Sequence, residues 1–257
     1  PKPLMSQWQD ELWALLELPS ARWNGRQWID EQGVAYPEFG SQGIRKCPRR
    51  IGIVSTGLVV RGSEAVELIK DLSYECVILD EAHRARRANL GPTHRGEKAE
   101  PNNLLRFLMD IALRTRSLLL ATATPVQIDP IEAWDLLNAL NEGRNGVLGS
   151  LYSRWRFRSR EGIDLVLGQS GPIEEIADLW EWMRDPLPPP EEGPDFQVLR
   201  RSLNINPAEQ WASPEALHGL RKSDLQRIRR LARDFFPKHN PFIRHIIRRT
   251  RDFLESH

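Results

Sequence analysis

Acidic and hydroxyl side chains follow two apolar runs near the middle of the chain. The first run, CVIL, is followed by Asp80, Glu81 and His83, and the second run, LLL, is followed by Thr122 and Thr124. Each run has the composition of a buried parallel strand, and the carboxyl ends of such strands meet at the edge where open α/β sheets bind ligands. We therefore expect these side chains to lie close together.

Their types fit hydrolysis of a magnesium nucleotide, which needs a carboxylate near the metal and a second group that activates water. Asp80 is placed to hold Mg²⁺, directly or through a water, and Glu81 to act as general base. His83 suits sensing of the nucleotide, and the hydroxyls of Thr122 and Thr124 could bond back to Asp80 or His83. Taken alone, the acidic tetrapeptide fits a surface turn equally well; the second motif favours the functional interpretation.

Strand and helix patterns alternate around these motifs. Alternation of this kind indicates a three-layer α/β fold with a parallel sheet, which we assign to residues 1–142. The pattern predicts a short strand and a hairpin within 20–50, a central strand at 50–56, a helix from Ser63 to Leu72, a loop at 84–102, a helix at 103–115 and a helix to about Leu140 that Asp129, Pro130 and Glu132 cap.

The first eighteen residues predict a strand end followed by a helix. Ser6 and Gln9 have capping-box spacing, and Pro19 stops the helix. Its expected buried face comprises Trp8, Leu12, Leu15 and Leu16. In the region that follows, Trp23 and Trp28 are expected to be packing residues.

The region 143–257 has a different composition and is expected to be mostly helical. Residues 173–195 hold eight acidic residues and one Arg, and Pro186, Pro188, Pro189 and Pro190 predict a stiff linker. Helices are predicted at 223–236 and 242–254. From residue 221 onward, eleven Lys or Arg face four Asp or Glu, although the whole chain carries only +1. This asymmetry fits a polyanionic partner, an intramolecular docking face or two solvated helices.

Composition narrows the class of protein. A hydrophobic content of 40% with 28% charged residues is typical of a soluble globular chain of this length. The sequence has no uninterrupted apolar stretch that predicts a membrane span, and it does not open with a signal peptide. Cys47 and Cys76 lack metal-ligand spacing, which favours a reducing compartment, so a cytoplasmic location without a membrane partner is expected.

These motifs together resemble the superfamily-two helicase-like ATPases, specifically the Swi/Snf-related branch with its RapA-like bacterial members. The similarity is specific from 51 to 141 and loose from 143 to 240. The matching segments are DEAH at 80–83 (Walker B, motif II), LLLATATP at 118–125 (motif III), IEAWDLLN at 131–138 (the helix after motif III), residues 1–11 (motif Ia), IVST at 53–56 (motif Ib) and 242–251 (the arginine-rich approach to the second lobe).

The resemblance implies an incomplete first RecA-like lobe of the P-loop NTPase class, with a helical appendage leading towards a missing second RecA-like lobe. It implies ATP and Mg²⁺ as cofactors and double-stranded DNA or another nucleic acid as partner. The intact protein would couple ATP hydrolysis to movement on the duplex or to remodelling of a protein–nucleic-acid complex. Relatives of this kind act with RNA polymerase or in phage defence.

The resemblance also implies that Lys2, Ser55 and Thr56 contact the nucleic-acid backbone. Arginines near the end of the chain extend this track in one interpretation. In the other, they face the acidic segment 174–195 or the missing second lobe. They are Arg227, Arg229, Arg230, Arg233, Arg244, Arg248, Arg249 and Arg251.

One departure from the family pattern limits the expected activity. The chain has no G-x-x-x-x-G-K-[ST] loop and no Gly-Lys pair. The phosphate-binding loop is expected upstream of Pro1 and the arginine fingers after His257, so residues 1–257 alone are expected to be inactive. Two alternatives are a non-catalytic module that keeps an ATPase lobe as scaffold and an RNA helicase of the same superfamily.

Overall fold

The computed structural model describes residues 2–90, 98–171 and 173–247. The chain is mixed α/β and divides into two compact units, Pro1–Ala123 and Thr124–His257. The sequence predicts a later boundary, after residue 142, where the regular alternation of strands and helices ends. That assignment stays a prediction.

Two small sheets form in the described part of the first unit. One has the order β2-β1-β3, with β1 antiparallel to β2 and parallel to β3, and the other is the parallel pair β4–β5. The elements are α1 (Lys2–Leu16), β1 (Ser20–Trp23), β2 (Trp28–Asp30), β3 (Ile51–Ile53), α2 (Thr56–Val60), α3 (Glu64–Lys70), β4 (Tyr74–Leu79), α4 (Asn103–Ala112) and β5 (Thr115–Leu120).

Parallel pairing is thus present, but the central position predicted for β3 is wrong. Among the strands of the described residues, β3 pairs only with β1 and forms an edge of its sheet. Its β-branched composition identifies a strand and carries no information on how many neighbours pair with it. The helix predicted after Ser63 is confirmed as α3. The Ser63 hydroxyl caps its start by accepting a hydrogen bond from the Ala65 amide.

The prediction for α1 is wrong in both its start and its buried face. The helix begins four residues before Ser6, so this serine lies inside it. Gln9 is buried and does not cap the helix: its amide donates to the carbonyls of Ser20 at 3.0 Å and Ile29 at 3.1 Å, and its oxygen accepts from Arg22. A polar anchor to the β1–β2 hairpin therefore sets the orientation of α1. Trp8, Leu15 and Leu16 consequently remain exposed.

The two tryptophans of the β1–β2 hairpin are packing residues, as predicted. Trp23 and Trp28 are both buried and meet edge to face with ring centroids 5.3 Å apart. The Trp28 indole donates to the carbonyl of Gly43 at 2.9 Å, so its polar atom is satisfied inside the core.

The parallel pair β4–β5 is less buried than its apolar sequence predicts. Leu79 is buried, but Ile78 is 57% exposed and Leu119, its partner in the register, is 56% exposed. Parallel sheets normally have both faces covered. In the described part of the first unit, no element covers these two side chains.

The second unit is helical in its described residues, and its core is aromatic. Trp155 and Trp182 meet with ring centroids 4.9 Å apart, and Phe235 and Phe236 contact the same rings. The elements are α5 (Ile131–Asn141), α6 (Arg154–Phe157), α7 (Ser159–Val166), α8 (Ile176–Met183), α9 (Pro194–Ser202), α10 (Lys222–Asp234), a π-helical turn (Phe235–His239) and α11 (Pro241–His245).

Two predicted helices of this unit are confirmed, and a third is shorter than expected. At the start of α5, Asp129 accepts from the Ile131 amide, and Glu132 accepts from the amides of Gln127 and Ile128 at 2.7 and 2.9 Å. The predicted helix at 223–236 corresponds to α10. The last predicted helix begins as α11 but ends at His245, and residues 248–257 lie outside the described part.

The stiff linker predicted from the prolines is wrong. Pro186, Leu187 and Pro188 are buried, and the carbonyls of Leu187 and Pro188 accept hydrogen bonds from the guanidinium of Arg200 at 2.9 and 2.8 Å. Because proline has no N–H donor, such a segment can be buried with few donors left to satisfy. The same guanidinium binds the carbonyl of Glu209, and its burial lowers the pKa of Arg200.

Among the described residues, every helix is too short or too polar to span a lipid bilayer.

Candidate functional site

The two motif-bearing strands end side by side, and their backbone hydrogen bonding continues past the strand ends, to Ala121 after β5 and to Ala82 after β4. The Ala121 amide donates to the Leu79 carbonyl at 2.9 Å, and the Ala82 amide donates to the Ala121 carbonyl at 2.9 Å. Ala82 is completely buried, which only a small side chain permits at such a crossing. The segments DEAH at 80–83 and LLLATATP at 118–125 are therefore joined through the backbone.

A sharp turn follows β4 at the two acidic residues. Glu81 has φ of +53°, in the left-handed region that residues other than glycine seldom adopt. The Glu81 amide donates to Oδ1 of Asp80 at 2.9 Å, and a 3₁₀ turn begins at Ala82. A conformation of this kind costs on the order of 1 kcal/mol and is concentrated at functional sites. Here it falls on the residue predicted to be the general base.

His83 connects the two motifs through its side chain. Its Nδ1 lies 3.1 Å from Oγ1 of Thr122 and 3.2 Å from Oε2 of Glu81. The contact with Thr122 has hydrogen-bond geometry, whereas the Glu81 carboxylate is a close neighbour of the same nitrogen. The three side chains form one polar group that spans the ends of β4 and β5.

Asp80 is half-buried, and both of its carboxylate oxygens have a partner. Oδ1 accepts from the Glu81 amide, and Oδ2 accepts from the indole Nε1 of Trp8 at 3.3 Å. Each carboxylate oxygen can accept about two hydrogen bonds. One acceptor position on each oxygen is therefore left for a cation or a water.

Sequence reasoning missed Trp8 as a residue of this site. The sequence pattern assigns it to the apolar face of α1, whereas among the described side chains of this helix Met5 and Gln9 are the buried ones. The only signal in the sequence was its place in the segment that resembles motif Ia. Helical spacing alone cannot show which of two faces is buried when both carry apolar residues.

The residues present fit a magnesium ion only together with a nucleotide. In the residues that the structure describes, no group of three or more His, Cys, Asp or Glu side chains is arranged to hold a metal. Magnesium, however, is commonly held by one or two carboxylates, several waters and substrate phosphates. The remaining acceptor positions of Asp80 suit that mode of binding.

The residues that the resemblance assigns to nucleic acid lie at helix starts. The Ser55 hydroxyl accepts from the Gly57 amide at 3.2 Å and caps α2, and Thr56 is the first residue of that helix. The Ser55 hydrogen stays available to a phosphate oxygen. Lys2 is the first residue of α1, and its side chain lies outside the described part of the structure.

Thr124 belongs to the second compact unit. Its Oγ1 accepts a hydrogen bond from the side-chain amide of Gln127 at 3.2 Å. Its coupling role stays a prediction.

Three of the eight arginines near the end of the chain pair with the acidic segment. Arg227 and Arg230 both bind the carboxylate of Asp195, and Arg244 binds Glu192 at 3.1 Å. The hydrogen bond from Arg230, followed by that from Arg227, lowers the pKa of Asp195. These three arginines therefore pair with the acidic segment in this structure, and the predicted contact of Arg230 with nucleic acid stays a prediction.

The other arginines fall into two groups. Arg229 and Arg233 are exposed, and neither forms an ion pair within the described residues. Arg248, Arg249 and Arg251 lie outside the described residues.

Comparisons of this chain with family models, with curated proteins and with solved structures found no match. The resemblance to Swi/Snf-related ATPases therefore rests on the sequence motifs and stays a prediction.

Proposed function

We propose that this chain is part of an ATP-dependent translocase or remodeller of the Swi/Snf helicase-like type, acting on double-stranded nucleic acid. The observation that carries the proposal is the contact between His83 and Thr122, 3.1 Å apart at the joined ends of β4 and β5. A surface turn at DEAH would not need this link to the second motif.

Within this proposal, Asp80 holds the metal of Mg-ATP and Glu81 accepts the proton of the attacking water. The bound metal supplies charge stabilisation for the transferred phosphoryl group. His83 orients Glu81, and its bond to Thr122 passes a change at Glu81 to the neighbouring strand. The predicted contacts of Ser55 and Thr56 would read the backbone of the nucleic acid, without reading its sequence.

The proposal places the phosphate-binding loop and the second RecA-like lobe in sequence outside these 257 residues. The exposed face of Ile78 and Leu119 supports this view, because a parallel sheet is normally covered on both faces. A three-layer RecA-like lobe would supply such a cover. Residues 1–257 alone are therefore expected to release no phosphate from ATP.

The test is nucleic-acid-stimulated phosphate release by the native-length protein. Glu81→Gln should lower kcat by about 10²-fold or more, because it removes the general base. Glu75→Gln is the matched control, since Glu75 is an exposed residue of the same strand that pairs with Arg116. Equal activity of the two variants, or no stimulation of the wild type, would contradict the proposal.

One observation favours the scaffold alternative. The indole of Trp8 occupies one acceptor position of Asp80, as expected where a carboxylate has a structural role. Magnesium-dependent binding of a fluorescent ATP analogue by the native-length protein separates the two functions. Binding supports the motor; absence of binding, together with absence of a Walker A lysine upstream, supports the scaffold. Stimulation by duplex RNA and not by duplex DNA would instead identify an RNA helicase.

A further inference from the structure

One face of α10 carries a basic stripe, defined here as Lys222, Gln226, Arg229 and Arg233. All four side chains are exposed. Their spacing of four, three and four residues places them on one side of the helix along about 16 Å. The opposite side is buried through Ile228. The stripe is thus a continuous solvent-facing surface.

The cations of the stripe differ from the other arginines of the same helix. Arg227 and Arg230 are held by Asp195, whereas Lys222, Arg229 and Arg233 have no carboxylate partner in the described residues. Like charges four residues apart on a helix repel each other. The positive charges of Arg229 and Arg233 therefore repel each other. Binding of an external anion would reduce this repulsion.

The stripe lacks the features of a protein-binding surface. Between residues 212 and 242, the described part of the chain exposes no large apolar side chain. Protein interfaces centre on buried aromatic or aliphatic anchors, and single-stranded nucleic acids stack on exposed aromatic rings. A guanidinium matches the oxygens of a phosphate in two parallel bonds, and a glutamine amide also contacts phosphate or sugar. The chemistry therefore favours the phosphate backbone of a duplex.

We propose that the basic stripe binds the phosphate backbone of double-stranded nucleic acid without reading its sequence. The choice of partner rests on the proposed function. The stripe adds to that function a distinction between cations that contact the nucleic acid and cations that form ion pairs within the protein. Three phosphate contacts predict a slope of about −2.7 for the logarithm of affinity against the logarithm of salt concentration. Affinity should thus fall by about 40-fold between 50 and 200 mM salt.

The experiment is fluorescence anisotropy of a labelled 20-base-pair duplex of random sequence, titrated with the chain in a KCl series. Arg229→Ala with Arg233→Ala should reduce the magnitude of the slope by about 1.8, or 0.9 for each lost contact. The matched control is Arg230→Ala with Lys238→Ala, which removes the same charge from cations paired with Asp195 and Asp234. The control should keep a slope close to that of the wild type. Circular dichroism checks that both variants fold.

Equal slopes for the two double variants would show that net charge and not the stripe drives binding, and would overturn the proposal. Failure of the wild type to bind at 50 mM KCl would also overturn it. Tighter binding of a labelled polyglutamate, lost in the same variant, would reassign the surface to an acidic protein. Equal losses with duplex DNA and duplex RNA are expected for backbone contacts. The binding experiment contains no ATP, so its outcome does not depend on ATP hydrolysis. Failure of the proposed ATPase function is detected separately, in the phosphate-release assay.

Discussion

The two compact units use their apolar and polar residues in opposite ways. In the first unit, apolar residues of β4 and β5 are exposed, and the polar group of His83, Glu81 and Thr122 lies at their ends. In the second unit, Pro186 and Pro188 are buried, and the buried guanidinium of Arg200 donates to backbone carbonyls beside them. We therefore expect substitutions of the buried residues in the second unit to act on stability, whereas those at the strand ends of the first unit should act on the proposed activity.

The largest effect is expected at the aromatic core of the second unit. Trp155 is fully buried, and its indole donates to the Trp182 carbonyl at 2.9 Å. Trp155→Ala should lower the free energy of unfolding by about 3–5 kcal/mol. Trp211→Ala, at an exposed tryptophan of the same unit, should change it little. Urea denaturation followed by circular dichroism measures both unfolding free energies. Similar losses in the two variants would contradict the view that the buried aromatic core stabilises the second unit.

A smaller loss of unfolding free energy is expected when the buried Arg200 is replaced. Arg200→Met removes the donors to the carbonyls of Leu187, Pro188 and Glu209 and should cost about 2–3 kcal/mol. Arg201→Met is the control, because Arg201 is the next residue of α9 and is exposed. If Arg200→Met is neutral in thermal denaturation, the proline segment does not depend on this guanidinium.

The ion pairs of Asp195 should make stability depend on acid pH. Because Arg230 and Arg227 lower its pKa in the folded state, the stabilisation is fully present above the unfolded pKa of about 3.9. It is lost as pH falls from there through the folded pKa. The melting temperature of Asp195→Asn should therefore lie below that of the wild type at pH 7 and at pH 5, with the difference shrinking below about pH 4. A difference that persists unchanged at pH 2.5 would be evidence against these pairs.

The smallest effect is expected on the exposed face of the first unit. Ile78→Ser should change the unfolding free energy by about 0.5 kcal/mol or less. Leu79→Ala, one residue further on the same strand and buried, should cost about 2–4 kcal/mol. A large loss for Ile78→Ser would mean that this face is covered in solution.

How far the sequence predicted the molecule depends on the type of signal. Strands β4 and β5 and the grouping of His83 with Thr122 follow from local patterns, since parallel strand ends must meet at one edge. The burial of residues 186–188 does not, because it depends on Arg200, a residue twelve positions away that composition does not connect to it. Trp8 was missed because the buried face of α1 is set by a polar residue, Gln9.

The central claim of the proposed function is that the segments DEAH at 80–83 and LLLATATP at 118–125 work as one unit through His83 and Thr122. A double-mutant cycle with His83→Ala and Thr122→Val, measured as nucleic-acid-stimulated phosphate release by the native-length protein, tests it most directly. A coupling energy of about 1 kcal/mol or more is predicted, so that the double variant is little worse than either single variant. Additive effects of the two substitutions would contradict the account.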